Sequence, residues 1–290
     1  AELSKADLLS DMVLEFDKMQ GIAGCYYALH DGENAEIAHA LKDQYLPKFS
    51  GDDLPASLTG CALALADRLD TLVGIFGIGQ PPTGSKDPFA LRRASLGVLR
   101  ILIEKEFNLE LVFLIESALA QYTKLPEADV VVNNLLEYFQ DRFENMIVEQ
   151  GVSIESFRAC IHTPGYHFNS PLSIYRRAHI VQVFSQSEAA RALAEAAKRT
   201  RNILAKNTGD NIAVNTSVFI QSAEKELSAA VNDARQTISS NSIELKQQLD
   251  ALAKLQQPVS TFFDEVMVIT ENKSTRNNRL ALLRELNDLF

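Results

Sequence analysis

Two groups of residues have the types and spacing to do chemistry, and they ask for different ligands. His30-Asp31 is a doublet of the kind that holds a divalent metal when a second His and a distal Asp converge on one ion. Asp67, within Ala64-Leu65-Ala66-Asp67-Arg68-Leu69, supplies a distal carboxylate on a helical pattern. The set is incomplete. His30-Asp31 stands directly before Gly32, in a turn, and His39 follows the doublet where a ligand helix should precede it. The expectation is no metal ligands. The second group is the Gly/Pro-rich run Gly77 to Lys86. A phosphate loop of the Walker type needs Gly-Lys-Ser/Thr after a strand, whereas here the order is Gly84-Ser85-Lys86 and the flanking pattern is helical. The run predicts a helix connector. Lys86, Arg92 and Arg93 nevertheless gather at a helix start, where backbone N–H groups favour anions, and are candidates for RNA-phosphate contact. Gly-x-Ser-x-Gly and triad spacings are absent, Asp52-Asp53 suits helix capping, and no catalytic residue is expected.

Helices must position these groups. Leu8, Leu9, Met12, Val13, Phe16 and Met19 make an apolar stripe at helical spacing. Asn34 is placed to cap a helix that ends before Pro47. A long helix from about residue 55 to 76 is apolar on most sides and belongs at the centre of a bundle. Asp87-Pro88 reads as N-cap plus first helical residue. Helical patterns continue over 109–122, 127–149 and 153–161, then from Pro171, over 187–204, 218–239 and 243–256, and in a last pair beginning at Pro258 and split at 271–274. Strand pairs and internal repeats are not evident. The fold expected is all-α.

The chain has 290 residues, 46% of them hydrophobic, enough for two domains with real cores. Apolar runs are too short to span a bilayer. The start shows no signal-peptide pattern, and Ala1 in place of Met suggests an interior piece of a longer chain, although removal of an initiator Met would also leave Ala first. Cys25, Cys61 and Cys160 are sparse and odd in number, which predicts buried thiols in a reducing, cytoplasmic setting. The net charge of −10 taken alone argues against nucleic acid. Its distribution reverses that argument. Residues 1–165 carry 13 Lys/Arg against 25 Asp/Glu, and residues 166–290 carry 15 against 13, so the second half is free to present a basic face. The charge changes near His162-Thr163-Pro164-Gly165, where the domain boundary is expected. At the end of the chain Phe262, Val266 and Ile269 are spaced to pack inward, while Arg276 and Arg279 share one helical face.

Several blocks resemble the beta subunit of bacterial glycyl-tRNA synthetase. They are Gly21-Ile22-Ala23-Gly24-Cys25-Tyr26-Tyr27-Ala28, Gln44-Tyr45-Leu46-Pro47, Ala64 through Phe76, and Pro82-Thr83-Gly84-Ser85-Lys86-Asp87-Pro88-Phe89-Ala90-Leu91-Arg92-Arg93. Phe262-Phe263-Asp264-Glu265-Val266-Met267-Val268 and Arg276-Asn277-Asn278-Arg279-Leu280-Ala281-Leu282-Leu283 extend the likeness over essentially the whole chain. The resemblance implies a C-terminal fragment of a longer beta chain. It implies a degenerate HD-type helical domain with a helical linker over 1–164 and a helical anticodon-binding domain over 165–290. It implies an α2β2 heterotetramer in which the alpha subunit holds the ATP- and Mg-dependent aminoacylation site, so no cofactor is expected in this chain. It implies tRNA(Gly) as ligand. The electrostatic candidates for that ligand are Lys86, Arg92, Arg93, Arg176, Arg177, Arg199, Lys206, Arg276 and Arg279, with Asn277 and Asn278 able to offer donor and acceptor together. Two other readings compete: a metal-dependent HD phosphohydrolase acting on nucleotides, and a helical scaffold that only holds the alpha subunit.

Overall fold

Apolar residues at helical spacing fold as helices almost everywhere they occur. The computed structural model describes all residues except 85, 124–127, 162–167, 208–211 and 240–243. Among the described residues there is no strand, and the one isolated bridge closes the turn between Thr83 and Lys86. The chain forms two units, Ala1–Ala178 and His179–Phe290, divided within helix Pro171–Ser185. The boundary expected at 164/165 lies outside the described residues.

Helix Leu58–Gly77 is the axis of the first unit. Ser57 caps it by accepting from Gly60 N–H. It packs against helices Ala35–Asp43, Leu91–Glu104, Leu111–Leu119 and Ala128–Glu149. Ala64, Leu72 and Val73 are wholly buried, as a helix covered on several sides requires. Phe139, Phe143 and Phe157 are also fully buried, each contributing about 1.5–3 kcal/mol of transfer energy. Asn34 caps helix Ala35–Asp43 as its position predicts.

Three local readings need correction. The stripe at residues 8–19 does not form one helix. It breaks into Ala6–Leu9, Asp11–Glu15 and Asp17–Met19, and Leu9, Leu14 and Phe16 remain exposed. Helix Leu91–Glu104 starts three residues beyond Pro88. Asp87 still caps it, accepting from Leu91 N–H at 2.8 Å and Arg92 N–H at 3.0 Å across an intervening turn that holds Ala90 at φ 54°. At the other end of the chain, helix Gln256–Glu265 stops before Val266, and the chain becomes extended there. Alternation then buries Val266 and Val268 and turns Ile269 outward at 45% exposure.

The second unit is a bundle of helices Glu188–Lys206, Ser222–Ile238, Leu245–Ala253, Gln256–Glu265 and Lys273–Asn287. Its core centres on Leu227, Val231, Phe262, Leu282, Leu283 and Leu286, all fully buried. Ser187 and Asn272 cap the first and last of these helices through backbone N–H groups three residues on.

Candidate nucleic-acid interface

The last helix carries two arginines at i, i+3, and the fold treats them differently. Arg276 is half-buried and donates from Nη1 to the Thr270 carbonyl at 3.1 Å. Arg279 is only 5% exposed. Its Nε and Nη2 donate to Glu224 at 2.9 and 3.3 Å, and Nη1 donates to the Met267 carbonyl at 2.8 Å. Glu224 also accepts from the Ile220 and Gln221 N–H groups, so one buried carboxylate caps helix Ser222–Ile238 and anchors helix Lys273–Asn287. Burial pushes its pKa up. The hydrogen bonds from Arg279 and the two backbone N–H groups, with the Arg279 charge, more than offset that and leave it below the usual carboxylate value. The assignment of Arg279 to a solvated RNA-facing surface is therefore corrected: its fork is spent inside the bundle. Asn278 is likewise buried, pairing with the Asn215 backbone through both N–H and carbonyl at 2.8 and 3.1 Å. Asn277 beside it is half-buried.

Two other candidates in this unit lie at the surface. Lys206 is exposed in the last turn of helix Glu188–Lys206. Arg199, on the same helix, is exposed with its guanidinium 4.3 Å from the centre of the Phe263 ring. That stacked pair is a planar cation on an aromatic face, a surface on which an unstacked base can lie.

The remaining candidates belong to the first unit. Lys86 is exposed at the end of the Thr83–Lys86 turn. Arg92 is half-buried and donates to the Gly84 carbonyl, holding that turn against the helix start. Arg93 is exposed and donates to the Lys48 carbonyl at 3.3 Å. Arg176 is exposed and pairs with Glu106 at 2.9 Å, while Arg177 is half-buried. Sequence reasoning missed three cations near Arg92 and Arg93: Lys48, Arg100 and Arg142 line the same cavity. The spacing of Arg93 and Arg100, at i, i+7 on one helix, is the signal that could have found the second of them.

His30 and Asp31 face solvent and contact each other at 3.3 Å, and Asp67 pairs with Lys5 at 2.8 Å. Among the described residues, no three His, Cys, Asp or Glu side chains gather to hold a metal ion. No described helix is long and apolar enough to cross a membrane.

Comparison with known proteins gives these surfaces a context. Residues 193–290 match the DALR anticodon binding domain. A glycine--tRNA ligase beta subunit of Chromohalobacter salexigens is 48% identical over 293 residues, covering 100% of this chain and 42% of that protein. The beta subunit of Marinobacter nauticus is 48% identical over 294 residues with the same shares, and that of Pseudomonas aeruginosa is 45% identical over 292 residues. The chain thus spans 42% of the length of these relatives. Residues 1–162, more than half of the chain, match the family described as the glycyl-tRNA synthetase beta subunit, and the chain belongs to that family.

Proposed function

We propose that this chain is the tRNA-binding portion of a glycyl-tRNA synthetase beta subunit, which recognises tRNA(Gly) while an alpha subunit attaches glycine. The observation that carries the reading is the anticodon-binding match over 193–290, which falls within the folded unit His179–Phe290. The physical argument runs through two kinds of contact. Lysine and arginine contacts to phosphate supply RNA affinity, and single-stranded anticodon bases are read by stacking and by hydrogen bonds to their edges. Lys206 and Arg276 fit the first role, and Arg199 on Phe263 fits the second. On this reading ATP and Mg2+ belong to the alpha subunit of an α2β2 assembly in the cytoplasm. The first unit is then a degenerate HD-type domain without a resident metal.

The test is binding of tRNA(Gly) and of a tRNA with a swapped anticodon, each titrated across salt concentrations. Lys206→Ala and Arg276→Ala are expected to weaken both tRNAs alike and to lower the salt slope by up to about 1 each. Arg199→Ala is expected to cost about 1–3 kcal/mol on tRNA(Gly) and to erode discrimination between the two. Equal affinity for both tRNAs in the unmodified chain, insensitive to all three substitutions, would overturn the reading. Charging assays lacking an alpha subunit should stay at background, and elemental analysis should find no stoichiometric metal.

A further inference from the structure

A cluster of positive charge lies in the acidic half of the chain. A cavity of about 560 Å³ opens between the segment Pro47–Ser50, helix Leu91–Glu104 and the far part of helix Ala128–Glu149. Lys48, Arg92, Arg93, Arg100 and Arg142 line it, against one carboxylate, Glu149. Five of the 13 cations of residues 1–165 therefore share one pocket. Screening limits the reach of the surrounding acidity to about 8 Å at physiological salt, so the local excess governs what the pocket attracts.

The pocket is built rather than incidental. Its outer wall, Pro47–Ser50, is pinned from three sides. The buried Arg68 donates to the Tyr45 and Pro47 carbonyls at 3.2 and 3.1 Å. Arg93 donates to the Lys48 carbonyl at 3.3 Å, and the Asp52 carboxylate accepts from Lys48 N–H at 2.7 Å. Two of the cations are themselves held in place. Arg100 donates Nε and Nη2 to Glu104 at 2.6 and 3.3 Å, which fixes it as part of the wall. Arg142 stands over the Tyr138 ring at 5.2 Å. Phe49 lines the same cavity and is 64% exposed, an aromatic surface beside the charge.

We infer that this cavity binds the phosphate of a single nucleotide unit, with Lys48, Arg93 and Arg142 receiving the phosphate oxygens and Phe49 the base. The volume suits one nucleotide and not a duplex groove, since small-ligand cavities run from about 300 to 1,000 Å³. The nucleotide can come free or as one residue of an RNA strand. The chemistry is the same, and the experiment separates the sources. The inference does not depend on anticodon binding by the other unit.

The test titrates the 290-residue chain by calorimetry, at low salt, with pyrophosphate, AMP, ATP and tRNA. Variants are Lys48→Ala and Phe49→Ala, both at exposed positions, and Arg93→Ala, with Arg199→Ala as control and folding checked by circular dichroism. ATP and pyrophosphate are expected to saturate one site. Lys48→Ala and Arg93→Ala should each weaken both about tenfold, the loss of one charge-assisted contact. Phe49→Ala should weaken AMP and ATP and spare pyrophosphate. Arg199→Ala should leave all three unchanged. If Lys48→Ala and Arg93→Ala weaken tRNA as well, the source is an RNA strand; if tRNA is untouched while ATP is lost, it is a free nucleotide. No saturable binding of ATP or pyrophosphate at millimolar concentration, or binding indifferent to both Lys48→Ala and Arg93→Ala, overturns the inference. That result leaves tRNA binding through Arg199, Lys206 and Arg276 standing.

Discussion

Arg279→Ala removes three donors from the core of the unit His179–Phe290: two to Glu224, at 2.9 and 3.3 Å, and one to the Met267 carbonyl at 2.8 Å. It leaves Glu224, wholly buried, with only its two backbone donors. Breaking a buried pair by deleting one partner costs about 3–5 kcal/mol, because the surviving charge stays in a low dielectric. That is a large share of the roughly 5–15 kcal/mol that keeps a domain folded. A loss of about 4 kcal/mol lowers the folded-to-unfolded ratio nearly 1,000-fold. The effect depends on pH. The folded-state pKa of Glu224 is depressed, so its contribution is fully present above the unfolded value of about 4.3 and is lost as pH falls through the folded value. The gap between the natural chain and Arg279→Ala is therefore widest at neutral pH and narrows in acid. The double variant Glu224→Gln/Arg279→Met, which removes both charges, should recover much of the loss. Hydrogen exchange of peptides from Ser222–Ile238 and Lys273–Asn287 reads this unit by itself, where circular dichroism would average both. Protection unchanged within about 0.5 kcal/mol at pH 7 would refute the argument, since that is the range of an ordinary surface substitution. A tRNA salt slope lowered by about 1 with protection intact would put Arg279 on phosphate after all.

Three further outcomes follow from the first unit. Gly97→Ala sets a Cβ 2.6 Å from Nε of Arg68, whose guanidinium donates to the carbonyls of Gln44, Ala64, Tyr45 and Pro47 and has no room to retreat. It should cost about 1–3 kcal/mol in urea titrations followed by exchange of Leu58–Gly77; a neutral effect would show that Arg68 is not fixed. The Tyr122 hydroxyl donates to Asp70, and burial followed by that carboxylate pushes its pKa up to about 12. A raised folded pKa gives stability present below the unfolded value of about 10 and lost as pH climbs through the folded one, so Tyr122→Phe should flatten the alkaline decline of stability across that window; an unchanged decline would exclude Tyr122 as a cause. Cys25, Cys61 and Cys160 are buried, and burial raises each thiol pKa, so a disulfide reagent at neutral pH should label none of them before unfolding; rapid labelling of the native chain would contradict their placement.

Sequence determined what is local. The all-α class follows from apolar spacing, and the caps at Asn34, Ser57, Ser187 and Asn272 follow from side chains that satisfy N–H groups two or three residues away. Helix Leu58–Gly77 was legible as central because its apolar residues leave little solvent face. The family was legible in blocks such as Pro82 to Arg93, where residue order is far more specific than periodicity. Tertiary structure decided which charges remain available. Arg276 and Arg279 are indistinguishable by helical spacing, and only the arrival of Glu224 from 55 residues away withdraws the second from solvent. The basic cavity was invisible for the same reason. Lys48, Arg93, Arg100 and Arg142 come from three separated segments, and the acidic sum over residues 1–165 conceals them, because net charge adds along the chain while a ligand responds to charge within a few ångströms.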